Sequence, residues 1–263
     1  MLDKQALLRN VNQPDERLLL AKVLDQADFS LKRHENTFTD FCDPGKMEII
    51  IRAIGGIQGL NFTVFGGSDD CERRRIGFCP DYREIDEAEF PIKVVKISVN
   101  TKFSKELTHR DFLGSVLGLG IDRGKVGDIF LFEDYTLIFA CEEIAKYICA
   151  NLLRVGKTIV KTQLQAVNEA QMPTKKMEEK SVTVSSLRLD VLVGAAFNMS
   201  RGKAVALIES EKVFINWITA KSVSKVVKEG DMLSVRGFGR AKLLEVRGKT
   251  KKDRVGVVFL KYI

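Results

Sequence analysis

The sequence predicts an α+β protein of three small domains: an N-terminal α+β domain over residues 1–80, a ferredoxin-like domain over 81–172 and a C-terminal domain over 181–263. Three observations carry this. Apolar periodicity between residues 92 and 164 switches in the order β-α-β-β-α-β, which is that of the split βαβ fold. Residues 181–263 hold 16 Lys+Arg against 7 Asp+Glu, whereas the rest of the chain is slightly acidic, with 26 against 28. The Lys-rich segment 174–180, just after Pro173, has the composition of a linker, assigned to residues 173–180.

In chain order, the first clear helix follows Pro14, where Leu18, Leu19, Ala21, Val23 and Leu24 form a helical apolar stripe. A second starts at Asp43-Pro44, a cap followed by proline in the first turn, and runs to Gly55-Gly56. Strands are predicted at 61–65 and 75–78, joined by a polar hairpin turn over 66–74. The middle domain reads as strand 92–99, helix 108–119, strands 129–132 and 136–139, helix 142–153 and strand 158–164. The last domain reads as two short apolar helices after Arg188 and Ser200, then strands at 213–217, 232–236, 242–246 and 255–262.

Composition excludes several classes. The chain of 263 residues is 45% hydrophobic and 29% charged, ordinary for a globular protein, and no run reaches the ~18 apolar residues of a membrane span. Its start carries no charged-then-apolar leader, so a cytoplasmic protein without membrane insertion is expected. The five cysteines (Cys42, Cys71, Cys79, Cys141, Cys149) are odd in number and contain no C-x-x-C, which predicts reduced thiols, with no disulfide framework and no zinc site. A basic excess confined to one domain points to a polyanion, and its spread over several short elements favours nucleic acid over a membrane-surface helix.

The two C-terminal helices sharpen this. An arginine opens each, Arg188 and Arg201, although the first turn of a helix favours acids. Ser200 is a natural N-cap, but Lys203 stands where a capping box would place Glu or Gln. Free N–H groups beside cations make an anion site. Solvated arginines, or pairing with Asp190, would be the plainer explanation.

The residues Arg188-Leu-Asp190, Ser200-Arg201-x-x-Ala204, Leu207-Ile208, Val213-x-Ile-Asn216 and Gly230-Asp231-x-Leu resemble the S4-type RNA-binding domain, or alpha-L motif. That resemblance implies a C-terminal S4-type RNA-binding domain whose helix pair presents Arg188, Asp190, Ser200, Arg201, Lys203 and Lys212 to structured RNA. The S4 pattern usually has Gly after the asparagine; here Trp217 stands there. Upstream, Leu107-Thr-His-Arg-Asp-Phe-Leu-Gly-Ser-Val-Leu-Gly-Leu-Gly-Ile-Asp-Arg-Gly-Lys-Val-Gly-Asp-Ile129 resembles the bacterial YlmH family, as do Asn216-Trp217 and Arg236-Gly-Phe-Gly-Arg240. The YlmH resemblance implies an RNA-recognition-like middle domain. It also implies a factor of ribosome-associated quality control or rescue that docks on rRNA of the obstructed large subunit, with peptidyl-tRNA as a further partner, and a link to cell-division gene neighbourhoods.

Other motifs are weaker. His109-Arg-Asp111 opens like a kinase catalytic loop but lacks its continuation, and a helix start capped by Thr108 with Asp111 as its acid accounts for it. Arg236-Gly-Phe-Gly239 starts like the aromatic RNA-recognition signature until Arg240 replaces an aromatic, so it reads as a basic loop with Arg236, Arg240 and Lys242 as phosphate contacts. Trp217, the single tryptophan, is a candidate RNA-stacking residue, although a lone Trp beside a strand more often packs on its own domain. Arg123, Lys125, Arg154, Lys157 and Lys161 would extend the basic surface. Arg188-Leu-Asp190 also matches the catalytic R-L-D of pseudouridine synthases, but here Val-Leu-Val-Gly follows it.

With no catalytic triad, phosphate loop or metal-ligand spacing, the expectation is a non-enzymatic, monomeric protein without cofactor or metal. The rival readings are an rRNA-modifying enzyme, a ribosome assembly factor and a cell-division adaptor. On this reading Arg188→Glu combined with Arg201→Glu is expected to abolish subunit binding while the protein stays folded.

Overall fold

The computed structural model describes residues 2–9, 11, 13–99, 107–172, 177–250 and 253–262. It divides into two compact units, Met1–Pro173 and Thr174–Ile263.

The first unit opens with α1 (Lys4–Leu8) and α2 (Pro14–Arg33). Pro14 fits the first turn of α2, Asp15 and Glu16 lie at its N-terminus and Lys32 and Arg33 at its C-terminus, all matching the helix dipole. His34 ends it in the left-handed conformation. After β1 (Thr37–Phe38), Asp43 caps α3 (Pro44–Ile54) by accepting from the Lys46 amide at 3.0 Å. Strands β2 (Leu60–Phe65) and β3 (Arg75–Pro80) complete an antiparallel sheet of order β1-β3-β2. Leu20, Val23, Leu24 and Ala27 of α2 pack with Met47, Ile50 and Ile54 of α3 onto Ile76 and Phe78 of β3.

The same unit continues with β4 (Ile92–Val99), α4 (His109–Leu117), β5 (Val126–Leu131), β6 (Tyr135–Cys141), α5 (Glu142–Asn151), β7 (Arg154–Val155) and β8 (Thr158–Gln165). The order β5-β6-β4-β8-β7, antiparallel throughout, is the ferredoxin-like arrangement with a short extra strand. Alternation along β4 divides two cores. Val95 and Ile97 face α4 and α5 with Phe112, Val116, Ala145 and Ile148. Ile92 and Val94 face the other way, where Leu137 and Phe139 join Phe41, Phe65, Cys71, Ile85 and Phe90 of the N-terminal part. The first two parts of the chain therefore share one core.

The second unit runs β9 (Met177–Val184), α6 (Leu189–Ala196), α7 (Arg201–Glu209), β10 (Val213–Ile215), β11 (Ile218–Thr219), β12 (Met232–Val235), β13 (Gly239–Lys249) and β14 (Val255–Tyr262). Its sheet has order β11-β10-β12-β13-β14-β9. One face, with Val213, Ile215, Leu233, Val235, Ala241, Leu243, Val257 and Phe259, packs on Leu189, Leu192, Val193 and Ala196 of α6 and Ala204 and Ile208 of α7.

Two sequence expectations change. Residues 177–180 are not linker: they belong to β9, which pairs with β14 from Met177↔Tyr262 to Val184↔Val255. Their polar composition suits an exposed edge strand as well as a linker. Positions 173–176 of the expected linker lie outside the described residues. The strand expected to reach residue 217 stops at Ile215, because Asn216 and Trp217 take φ of 48° and 63°.

Candidate nucleic-acid interface

The backbone of the second unit sets where its arginines stand. Arg188 is the N-cap of α6 and forms a bridge with Val226, while the Leu189 amide donates to Lys225 O at 2.8 Å. After α6 the chain reverses through Asn198, at φ 52°, and Gly194 lets Met199 O approach so closely that a Cβ there would sit 3.1 Å from it. The reversal brings the start of α7 back to the start of α6. Ser200 caps α7 by accepting the Lys203 amide at 3.2 Å, and no acid occupies the first turn.

Asp190 joins the two starts. Its side chain is 1% exposed, and its carboxylate accepts from Arg188 Nε at 3.1 Å and Arg201 Nε at 2.6 Å. The arginine side chains are 40% and 62% exposed, so the acid is enclosed while its two partners reach solvent. Burial alone would raise the Asp190 carboxyl; the hydrogen bonds from Arg188 and Arg201, with their charges, outweigh it and hold the group below its ordinary value of 3.8. Two cations tied to one anion leave a net positive charge beside the start of α7, an arrangement suited to a phosphate group; the first amides of α6 are taken by the carbonyls of Lys225 and Val223.

The remaining candidates separate into two faces. Lys203, exposed in the first turn of α7, lies over the Phe238 ring at 4.7 Å, which ties the 236–240 loop to the helix side. Arg240 and Lys242 flank the core residue Ala241 in β13 and therefore point away from the helices. Arg240 lies 5.8 Å from the Tyr262 ring centroid and Arg236 lies 5.7 Å from that of Phe214, both aromatic rings on the sheet's other face. Burial lowers the Arg240 guanidinium from its usual range. Lys212 is exposed ahead of β10, and its carbonyl accepts the Arg236 amide at 2.9 Å. Arg188, Asp190, Ser200, Arg201 and Lys203 thus come together; Arg236, Arg240 and Lys242 form a separate group. Phe214, Phe238 and Tyr262, which seat the cations, were missed from sequence. The period-2 pattern around Ala241 carried the only available signal, since it already sets Arg240 and Lys242 on one side of the strand.

In the first unit, an RNA-recognition sheet would offer an open aromatic face. Here Phe139 is buried, edge-to-face with Phe130 at 5.8 Å and packed among Phe41, Phe65 and Phe90. Where that core forms, the face is filled by the chain's own N-terminal part. Arg123 is also occupied, donating to the carbonyls of Val126 and Gly127, and Lys125 pairs with Asp40 at 2.6 Å. Arg154, Lys157 and Lys161 are exposed. The Thr108–Asp111 capping box is present, with the Thr108 amide 2.8 Å from the Asp111 carboxylate. Among the described residues no His/Cys/Asp/Glu cluster could hold a metal, and no single helix is long and apolar enough to cross a membrane. Cys42, Cys71, Cys79 and Cys141 are buried free thiols; burial pushes Cys42 up to about 11 and Cys71 up to about 12.

Comparison with known proteins gives matching assignments. Residues 86–169 match the family model for the "RNA-binding domain in YlmH", and residues 187–233 match that of the S4 domain. The chain is 33% identical over 245 residues to the ribosome-associated protein quality control protein P2 of Bacillus subtilis (strain 168), covering 93% of this chain and 95% of that protein. A solved structure, the cell division protein ylmH from Streptococcus pneumoniae, superposes with a TM-score of 0.52 at 21% identity, covering 60% of this chain and 95% of that one. At that identity the likeness concerns the fold alone.

Proposed function

The chain belongs to the YlmH family of S4-domain proteins, and from that premise we propose that it is a non-enzymatic RNA-binding protein of ribosome-associated quality control. Its place of action in this reading is the cytoplasm, on rRNA of the large subunit close to tRNA. The observation that carries the proposal is the Asp190 clamp, which holds the exposed cations Arg188 and Arg201 at two adjacent helix N-termini. Phosphate oxygens dock at the start of α7 against Ser200, Arg201 and Lys203, while Arg188 holds neighbouring backbone. Such contacts fix register on folded RNA without reading its sequence.

The quality-control role is supported by the Bacillus subtilis relative, whose name gives it that role. The test is co-sedimentation with large subunits carrying or lacking peptidyl-tRNA, with small subunits and intact ribosomes as controls. Preferential binding to peptidyl-tRNA-bearing large subunits, weakened by Lys203→Glu and falling steeply with salt, is expected. Equal or absent binding to every particle overturns the proposal and moves the modification, assembly and division readings ahead.

A further inference from the structure

The β10–β11 hairpin is closed by two residues only, since Ile215 pairs with Ile218 across Asn216 and Trp217. Positive φ at both, 48° and 63°, is the type I′ geometry, which favours glycine at the second position. Asparagine tolerates this conformation, but a bulky aromatic is strained there. The turn is held from outside. Asn216 donates from Nδ2 to Asp231 Oδ1 at 2.8 Å and accepts the Met232 amide at 2.9 Å, and the other Asp231 oxygen accepts the Lys228 amide at 2.8 Å.

Packing does not explain the tryptophan. Trp217 is half-buried, contributes nothing to the unit's apolar core, and makes no ring contact among the described residues. Its neighbour Ile218 is 61% exposed. An indole in a strained turn, unsupported by the core it flanks, is positioned for something outside the chain. The surroundings indicate what. Asp231 ties the turn to Lys228, and two residues before Lys228 the bridge from Val226 reaches Arg188. Lys221, Lys225 and Lys228 lie on this connecting segment, on which the Lys225 carbonyl accepts the amide of Leu189, next to Arg188, at 2.8 Å and the Lys228 amide donates to Asp231.

We propose that Trp217 is a stacking platform for a single unpaired base of a folded RNA, such as a loop or bulge nucleotide, whose adjoining phosphates lie along Lys225, Lys228 and Arg188. The proposal rests on the RNA-binding reading above and adds base contact to what are otherwise phosphate contacts. An aromatic face flanked by cations is how proteins hold unstacked bases with little sequence preference.

Trp217 is the chain's only tryptophan, so its fluorescence reports the contact directly. The probes are an RNA stem-loop with unpaired purines in its loop and the same stem with abasic loop positions, each carrying a dye on the stem so that anisotropy gives the affinity for the wild type, Trp217→Gly and Trp217→Phe, while tryptophan quenching in the wild type reports the contact. The wild type shows quenching with the purine loop, and binds the abasic loop about tenfold more weakly without quenching. Trp217→Gly melts higher than the wild type, because the strain is gone, yet binds the purine loop about tenfold more weakly; Trp217→Phe retains most of the affinity. A lower melting temperature for Trp217→Gly assigns the indole to packing and overturns the proposal, as does equal affinity for the two loops. Failure of every variant, the wild type included, to bind either RNA overturns the RNA-binding reading as well, which separates the two failures.

Discussion

Arg201 reaches back from α7 and donates from Nε to Asp190 Oδ2 at 2.6 Å, on the same carboxylate that holds Arg188. The clamp changes how this surface can be tested. Reversing both arginines to Glu would strip a 1%-exposed carboxylate of its partners and set two more acids beside it. The clamp therefore argues against the expectation that this variant stays folded, and loss of binding in it would not separate lost phosphate contacts from unfolding. Arg188→Gln with Arg201→Gln is expected to cost about 1–3 kcal/mol, the scale for leaving an enclosed acceptor without its hydrogen-bond donors, since both arginines already reach solvent. Adding Asp190→Asn should recover most of this. Urea denaturation of the double and triple variants checks it, and a triple variant no more stable than the double would refute the clamp.

The clamp also fixes a pH response. Asp190 is held below its ordinary value of 3.8, so its contribution to stability is fully present above 3.8 and is lost as pH falls through its lower folded value. Asp28 in the first unit behaves likewise. The Lys32 hydrogen bond, opposed by burial and reinforced by Lys4 and the Leu2 amide, holds it down to about 2. Acid titration followed by circular dichroism should show stability falling between about pH 4 and 2, with Asp28→Asn and Asp190→Asn each flattening that fall.

Much of the fold was legible because local signals agreed with tertiary structure. Pro14, Asp43-Pro44, Thr108 and Ser200 mark helix starts by side-chain chemistry that acts within one turn, and the start of each helix follows them. What failed depended on distant partners. Residues 177–180 become strand only by pairing with β14, more than 75 positions away, and no local pattern encodes that pairing. Arg188 and Arg201 were singled out correctly as helix openers, but their separation from Arg240 and Lys242 by a sheet required the register of β13. The filling of the middle sheet's outer face was invisible for the same reason. Phe41 and Phe65 fall within residues 1–80, expected as a separate N-terminal domain, whereas they share a core with Phe139.

That shared core gives a third prediction. Gly67, in the β2–β3 connection, has φ of 103°, and a Cβ there would lie 2.4 Å from the Phe139 ring. Gly67→Ala therefore combines backbone strain with overpacking and is expected to cost about 2–5 kcal/mol. Thermal melting checks it. Gly56 has open space around its Cβ position and no positive φ, so Gly56→Ala serves as a control near neutrality. A Gly67→Ala protein as stable as the wild type would show that the two parts do not pack through this contact.

The division of basic residues into two faces sets the last prediction. Lys203 lies on the helix side with the Asp190 clamp, whereas Arg240 and Lys242 lie across the sheet from it. A rigid RNA surface docked on the helices touches the first group and not the second. Each lost phosphate contact lowers the magnitude of the slope of log affinity against log salt by about one. Lys203→Gln should therefore reduce the salt slope of subunit binding by about one, while Lys242→Gln leaves it unchanged. Equal reductions would mean that RNA wraps the edge of the sheet through the 236–240 loop, where Phe238 meets Lys203 on one side and Arg236 meets Phe214 on the other. An effect of Lys242→Gln alone would transfer the docking surface to the open sheet face, with Arg240 and Tyr262 at its centre.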